Sequence, residues 1–576
     1  MPHTPIANAA ALHVADAAEI DVRDIKVEAP PKPELGDFAV GCFAAAKAQR
    51  KSPAALAAEI AQRFVPGGWL ASATAAGPFI NFRAARAPAL RWIVGAALDG
   101  ALLPQQLGEG QTICIDFSSP NISKNLAYHH IRSTVIGHAL VHLFRALGYR
   151  TIGINHLGDW GTTHGMLIAG AKRWPDALPE PVDVAALGEL YRRVRKQIET
   201  DPTMETESRQ WFARLEQGDP EARAIWQRFR DISWAEFQSV YDLLGIVFDE
   251  VRGESAYEPD MPRIIAEMTD KGLAKESEGA LAIELPGEKV PLLLRTKDGT
   301  TLYATRDLAA AQYRWNTYRF TRSLYVVDRG QALHFRQLYA ALRLAGYEWS
   351  ERCEHIPFGL VRLGGKKTGS RGDKVVLLKE VFEEATSQVA PRIQASQPQL
   401  SEAECAALAQ TVGVGAVVFI NLVTQREKDV DFEMEKATSL DGDSGPYLQY
   451  SHARCASILR KAGWDAAAAE HDALDALDWT RLATDAEWAV ARRLLDFPEV
   501  VVRAAQACEP HGVCHYLLDL AGDFSRWYTA GNGDAALRVL CDDPETRAVR
   551  LALTAAVRAT LARGLALLGM GAPAMM

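Results

Sequence analysis

TICIDFSSPNISKNLAYHHIRSTVIGHALVHLFRALGYRTIGINHL, residues 112–157, decides the fold. It opens with a short apolar run rich in β-formers, TICIDFSS (112–119). In NLAYHHIRSTVIGHALVHLFRALGY (125–149), Ile131, Ile136, Leu140, Leu143, Phe144 and Leu147 recur at helical spacing, and RTIGINHL (150–157) reads as a second strand. Strand, helix and strand in this order predict two parallel strands joined by a right-handed crossover, the unit of a Rossmann-type sheet. In such a sheet ligands sit beyond the carboxyl ends of the strands, where helix N-termini offer N–H groups to anions. DFSSPNISKNLAYHHIRST (116–134) lies at that place. Pro120 and Asn121 turn the chain, Lys124 brings positive charge and His130 opens the helix, a set suited to a nucleotide triphosphate. From these residues alone, an ordinary βα loop whose polar groups only cap the helix reads equally well.

Outward from this stretch the chain divides. Residues 20–100 predict a small α/β unit, with a helix at PAALAAEIAQRF (53–64) and a strand at PFINFRA (78–84). Residues 175–290 are polar and mainly helical, like an insertion. Alternation resumes with SLYVVD (323–328), a helix over 331–345 and HIPFGLVRL (355–363), and from about 440 the pattern is helical. The expected fold is multidomain, α/β plus all-α. A unit over 1–100 precedes a Rossmann-type parallel-sheet unit over 108–438, and a helical bundle fills 439–576. A chain of 576 residues is too long for one core at roughly 100–200 residues per domain.

Composition, 48% hydrophobic and 23% charged, excludes a disordered or fibrous chain. The eight cysteines are scattered without a CxxC pair, which predicts reduced thiols and a cytoplasmic location. The start lacks a basic segment followed by an apolar block, so no secretory signal is expected. Apolar stretches such as 551–570 are broken by Arg558 and Arg563, and no run is expected to reach the ~18 uncharged residues of a membrane helix. The net charge of −9 leaves a polyanion partner open, since affinity follows local basic patches.

Two further stretches carry chemistry. FGLVRLGGKKTGSRGDKVVLLKEVFEEA (358–385) is a glycine-rich basic loop; Gly364, Gly365, Gly369 and Gly372 give flexibility, and Lys366, Lys367, Arg371 and Lys374 give charge for a pyrophosphate. It is not a Walker A loop, because no G-x-x-x-x-G precedes the lysines in register. In KDGTTLYATRDLAAAQYR (297–314), Tyr303 and Asp307 are four apart and share a helix face. A buried carboxylate can take two parallel bonds from a guanidinium, with a phenol as third contact. A solvated basic turn and a surface pair are the plain alternatives for these two features.

SSPNISK followed by HIRST, and NHLGDWGTTHGML (155–167), resemble the arginyl-tRNA synthetase form of the class I "HIGH" region and its next block. The register puts Ala127, Tyr128, His129 and His130 at the four HIGH positions, so the first histidine is alanine and the glycine is histidine. Loss of one such donor costs ~3–4 kcal/mol in a transition state, and helix neighbours point about 100° apart, so on a regular helix His129 does not simply replace the missing ring. Either the backbone is shifted to use His129, or Lys124 and other groups carry the load, or activation is impaired; compensation is the expectation.

The resemblance implies an arginine–tRNA ligase that uses ATP and Mg2+ to form arginyl-adenylate and passes the arginyl group to tRNA(Arg). It implies catalytic roles for Lys124, His130, Lys367 and Arg371. ATP would be held by Ser119, Asn121, His129, His130, Gly158, Asp159, His334 and Lys367, and arginine by Asn121, Asn155, Glu254, Tyr303, Asp307 and Gln331. ELGDFAVGCFAAAKAQRKSPAALAAEI (34–60) and AGPFINF (76–82) are similar to the family's N-terminal tRNA-elbow domain, whose opening helix looks short here. GDSGPYLQYSHARCASILRKAG (442–463) is similar to the entry of its anticodon-binding domain, where Tyr447, Tyr450 and Arg454 would meet unpaired bases. Cys508, His511, Cys514 and His515 are read as helix packing, with no metal. A monomer that binds neither membrane nor DNA is expected. A paralogue passing arginine to a non-tRNA acceptor, and a weakened tRNA-binding regulator, are the two rival readings.

Overall fold

The computed structural model describes residues 4–277, 279–297, 301–363, 366–367, 376–465 and 470–576; of Pro33, Lys366 and Lys367 it describes the backbone only. The N-terminal unit starts with α1 (Pro5–Ala18), capped by the Thr4 hydroxyl, which accepts from the Ala7 N–H. This helix of 14 residues corrects the expectation of a short one. The strands β1 (Val27–Glu28), β2 (Phe38–Gly41), β3 (Leu70–Ala76) and β4 (Phe79–Ala84) form an antiparallel sheet in the order β1-β2-β4-β3. The helices α2 (Phe43–Gln49) and α3 (Pro53–Gln62) lie between β2 and β3, and α4 (Arg86–Asp99) leads out of the unit.

The middle of the chain builds a five-stranded, all-parallel sheet. It begins with β5 (Thr112–Asp116), α5 (Ile131–Ala146) and β6 (Arg150–Asn155), and continues through α6 (Thr162–Arg173), α7 (Val184–Thr200), α8 (Pro202–Glu216) and α9 (Pro220–Leu243) to β7 (Glu250–Val251). After α10 (Met261–Asp270), the strands β8 (Ala274–Ser277), β9 (Ala280–Ile283) and β10 (Leu292–Arg295) form an antiparallel sheet of their own. Then come α11 (Tyr303–Tyr318), β11 (Arg322–Tyr325), α12 (Ala332–Leu344) and β12 (Cys353–His355). The parallel order is β12-β11-β5-β6-β7. The chain leaves β5 for β6 on one side and returns with β11 on the other, so the topological switch point, where a ligand crevice opens, lies at the carboxyl ends of β5 and β11.

Three expectations change. The stretch 175–290 is not one helical insertion, because β7 pairs with β6 inside the central sheet. HIPFGLVRL splits into β12 and β13 (Val361–Leu363), and β13 belongs to a separate small sheet with β14 (Lys366–Lys367) and β15 (Val430–Phe432). The stretch from Cys405 to Gln425 carries no charge, and α14 (Glu402–Leu422), between α13 (Leu378–Ser396) and α15 (Met434–Ala437), is long and apolar enough to cross a membrane by length and composition. It is a core helix: two-thirds of its apolar window is buried, its sides packed on α5, on α13 and on α16 (Gly445–Lys461).

The C-terminal part is helical, with α16 followed by α17 (His471–Asp475), α18 (Asp485–Ala507), α19 (His511–Gly533) and α20 (Pro544–Leu567). A buried ion pair, Arg550 to Glu487 at 2.7 Å, ties α20 to α18. The N-terminal unit sits on α18: the Trp488 indole N–H donates to Asp37 at 2.8 Å and Arg86 pairs with Asp485. All eight cysteines are reduced and buried. Cys508 takes a contact from Arg322 and His511 pairs with Glu509, so this stretch is spent on helix packing.

Candidate active site

The loop after β5 is held in an unusual conformation. Ser118, Ser119 and Ser123 have φ of 67°, 44° and 63°, the left-handed region, which costs a non-glycine residue of order 1–3 kcal/mol each. Hydrogen bonds from distant elements hold them there. The Ser133 hydroxyl accepts from the Ser118 N–H and donates to the Val326 carbonyl, tying the start of α5 to the end of β11. The Ser119 hydroxyl donates to Asp116 and accepts from the His156 N–H, and the Ser123 N–H donates to Ser233. Asp116 is itself locked by Arg314, 2.7 Å away and 1% exposed. Asn121 forms a bridge with Gly158: the Ile122 N–H donates to the Gly158 carbonyl, and the Gly158 N–H to the Pro120 carbonyl. The exposed Asn121 is thereby fixed over the strand ends.

The four HIGH positions do not lie in a helix. Ala127 is extended (φ −78°, ψ 158°) and bridges to Leu377, the Tyr128 N–H donates to the Val376 carbonyl, and Tyr128–His130 make one 3-10 turn before α5 begins. The backbone therefore departs from the regular helix in which the two rings would diverge, as the first of the three open readings has it. The His129 and His130 rings lie side by side, with centroids 4.0 Å apart and planes tilted by 35°. Burial, with His129 beside it, takes the His130 imidazole down to about 3. Burial also lowers His129, opposed by Asp328 and aided by Lys124. The carbonyl of Ala127 can only accept, so His130 donates from Nδ1 at 3.0 Å and turns Nε2 outward. Lys124 reaches over the Tyr191 ring of α7, 5.8 Å from its centre.

On the other side of β5, α11 and α12 bring together most of the expected amino-acid pocket. A quarter of the Asp307 side chain is exposed. Its Oδ2 accepts from His334 Nε2 at 2.6 Å, and its Oδ1 stands 3.7 Å from His156 Nε2. Burial pushes the Asp307 carboxyl up, but the His334 hydrogen bond, with His156 and Arg306 nearby, outweighs it and holds the group below its ordinary value. Tyr303 is 55% exposed, its ring edge-on to His334 at 4.9 Å, so it is a rim residue and not part of a buried pair. Glu254 pairs with Arg306 at 2.8 Å; its carboxyl is raised, chiefly by burial. Gln331 is exposed at the N-cap of α12.

The remaining expected residues fall differently. His334, expected beside the nucleotide, faces Asp307 instead. Asp159 is 0% exposed; it accepts from the Ser255 N–H and hydroxyl and from Arg230. It therefore positions the 253–255 turn that carries Glu254 and does not reach a nucleotide, because its lone pairs are spent inside. Asn155 is also 0% exposed: its amide donates to the Tyr241 hydroxyl, while its Oδ1 finds no partner among the described residues. For Lys367 only the backbone is described, in β14, and Arg371 lies outside the described residues. His156, Arg306 and Tyr241 contact Asp307, Glu254 and Asn155 in turn and are not among the expected residues. The first two stand inside the quoted NHLGDW and YATRD blocks; nothing local marks the third.

On α16, Tyr447, Tyr450 and Arg454 share one side. Arg454 donates to the Tyr450 hydroxyl at 2.9 Å and also stacks near Tyr528 of α19, a neighbour that no spacing announces.

The comparisons agree with this geometry. Residues 93–434 match the family described as tRNA synthetases class I (R), catalytic domain; residues 448–576 match the DALR anticodon binding domain, and residues 6–84 the arginyl tRNA synthetase N terminal domain. Sheet, strained loop and match together define a class I aminoacyl-tRNA synthetase. The chain is 42% identical over 553 residues to the arginine–tRNA ligase of Streptococcus equi subsp. equi, covering 95% of each, and 41% over 566 residues to that of Exiguobacterium sibiricum, covering 97% of each. The Thermus thermophilus arginyl-tRNA synthetase superposes with a TM-score of 0.80 at 28% identity, covering 99% of this chain and 100% of that one. The Plasmodium falciparum arginyl-tRNA synthetase shares the fold at 0.77 and 22%, covering 99% of each. The chain belongs to the arginyl-tRNA synthetase family and is an enzyme, an ATP-using ligase of arginine and tRNA.

Proposed function

We propose that the crevice at the ends of β5 and β11 forms arginyl-adenylate with an altered HIGH turn that is competent as it stands. Asp307 reads the arginine guanidinium after His334 yields its place, with Tyr303, Gln331 and Glu254 around it. Asn121 takes the α-amino and carboxylate end, and the buried Asn155 joins it through its unpartnered Oδ1 once the crevice opens around the substrate. The arginine carboxylate attacks the α-phosphorus of ATP, and pyrophosphate leaves as the bond to the α-phosphate forms. His129 stands in for the histidine absent at Ala127: a triphosphate beside these two rings raises their proton affinity, and the imidazoles then donate to phosphate oxygens, with Lys124, Lys367 and Arg371 adding charge. The terminal adenosine of tRNA then takes the arginyl group and AMP leaves.

Mg2+ enters on the phosphates of ATP. The crevice's own carboxylates are engaged, Asp116 by Arg314 and Ser119, Asp328 by the Gly330 N–H and Asp307 by His334, which fits an ion carried by the nucleotide better than a resident site. We also propose a monomeric cytoplasmic enzyme, with residues 1–100 on the tRNA elbow, 108–438 as catalytic unit, and Tyr447, Tyr450 and Arg454 on the anticodon.

The observation that carries this reading is the 4.0 Å pairing of the His129 and His130 rings at the crevice. Arginine-dependent ATP–pyrophosphate exchange with and without total tRNA tests it, followed by acid-stable charging with labelled arginine. Exchange and charging are both expected. His129→Ala should lower exchange by roughly 10²-fold, the cost of one transition-state donor. The double change Ala127→His with His129→Gly should bring little gain; a large gain would show that the altered turn is not compensated.

A further inference from the structure

On α5, about two turns beyond His130, His138 and His142 stand four residues apart on one helix face. Their Nε2 atoms are 2.8 Å from each other, with the rings perpendicular at 4.4 Å. His138 is 8% exposed. The pair forms part of the wall of a cavity of about 1290 Å³ between the catalytic unit and the end of the chain, which Asp242, Glu383, Gln410 and Met570 also line. The reaction crevice uses neither ring. The charged groups around them are Arg145 on their own helix, Asp242 on α9, and Lys379 and Glu383 on α13.

We propose that His138 and His142 chelate one divalent first-row transition ion, such as Zn2+, on the wall of this cavity. The 2.8 Å approach is a hydrogen bond: His142 keeps its proton on the nitrogen that faces the Ala566 backbone, so His138 donates from Nε2. Two imidazole nitrogens on a tetrahedral zinc lie about 2.0–2.1 Å from the metal and hence about 3.3 Å from each other, so binding moves the His138 proton from Nε2 to Nδ1 and opens the pair by about half an ångström. Nitrogen donors select zinc, nickel or copper over magnesium or calcium. The rest of the shell is water, for which the cavity has room. Arg145 is the charge that bears on both rings, and its repulsion keeps the expected affinity for a dication modest. His142 also bonds the backbone of Ala566 at the end of α20, the kind of outer contact that fixes a ligating ring. Gly569 packs so closely on His138 that a Cβ there would lie 2.7 Å from Nδ1. An ion on these rings therefore stiffens the seat of the C-terminal segment on the catalytic unit.

The test uses the untagged full chain, stripped with EDTA and titrated with Zn2+, and separately with Ni2+, by calorimetry. One equivalent should bind, with affinity reduced roughly tenfold or more in His138→Gln and in His142→Gln, and the ion should raise Tm in the parent alone. His515→Ala is the control for the other pair at this spacing, whose rings are 6.0 Å apart and whose His511 is held by Glu509; it should bind as the parent does. Should a glutamine variant fail to fold by circular dichroism, electron paramagnetic resonance of one Cu2+ on the parent decides, with two imidazole nitrogens expected. Absence of saturable binding, equal binding in the glutamine variants, or a copper spectrum without imidazole nitrogen overturns the proposal.

Discussion

A Cβ placed on Gly158 would lie 1.9 Å from Asn121 Oδ1 and 3.1 Å from the Asn121 Cα. Turning the amide away relieves the first contact but not the second, so Gly158→Ala has to move the backbone of the strained loop that fixes Asn121. The 3.1 Å contact asks that backbone to give by a few tenths of an ångström, and a displacement of about 1 Å at a reacting centre costs on the order of 10²-fold in rate. We expect exchange by Gly158→Ala to fall by roughly 3–10-fold while its Tm stays near the parent's; parent-like exchange would place the loop outside the reaction. At this scale the sequence is legible where partners are close along the chain. The four-residue step from Tyr303 to Asp307 put both on α11, but the step says nothing of exposure, and Tyr303 stands at the rim. The His334–Asp307 bond crosses from α12 to α11, and no period encodes it. Which of the open readings of His129 holds is not legible locally, because backbone at Val376 and Leu377, far along the chain, pulls Ala127 and Tyr128 out of the helix.

Elements are legible from period where one face is wet, as in α3, and from apolar content and order where they are buried nearly all round, as in α5, β5 and β6. α3, α5, β5 and β6 follow their patterns, and the strand–helix–strand order of 112–157 gave the parallel pairing seen between β5 and β6. β7 escaped notice because two residues between long polar helices carry no alternation; its place comes from pairing with Ile154 and Asn155. α14 escaped because it is apolar on all sides, which a buried core helix and a membrane span share. Its packing supplies a test. A Cβ on Gly413 would meet the Thr386 N at 2.7 Å, and one on Gly415 the Gln449 amide at the same distance, so α14 lies against α13 and α16 by way of glycines. Gly413→Val gains some helix propensity but overpacks a backbone contact. The net effect expected is a destabilisation of about 1–3 kcal/mol, measured by urea unfolding. A gain in stability would mean that α13 yields freely.

Across the whole molecule, the N-terminal unit, the parallel sheet and the helical bundle are seated on one another. Asp37 holds Trp488, Arg563 donates to the carbonyls of Ala97 and Leu98, and α5 touches both α18 and α20. Such seating predicts that acid acts on them together. Three histidines of the parallel-sheet unit that anchors these contacts are buried and held neutral, His130 and His138 down to about 3 and His164 to about 4, each chiefly by burial. In the unfolded chain a histidine titrates near 6.5, at about the value of a free imidazole. Between 6.5 and these lowered values the unfolded chain binds protons that the folded chain refuses, so stability rises with pH in that window and is lost as pH falls. Each group contributes a slope approaching about 1.4 kcal/mol per pH unit once the pH is well below 6.5. Asp307, lowered by its partners, adds to the loss only below the ordinary carboxylate range. Urea midpoints should therefore hold steady above pH 7.5 and decline steeply from about 6.5 to 4.5, in a single transition by both tryptophan fluorescence and circular dichroism. His164→Gln, carrying no titrating ring, should lose stability at neutral pH but show a shallower acid slope. A parent whose midpoint is unchanged between pH 7.5 and 5 would mean that these rings take up protons without unfolding, and that water reaches them in the folded state.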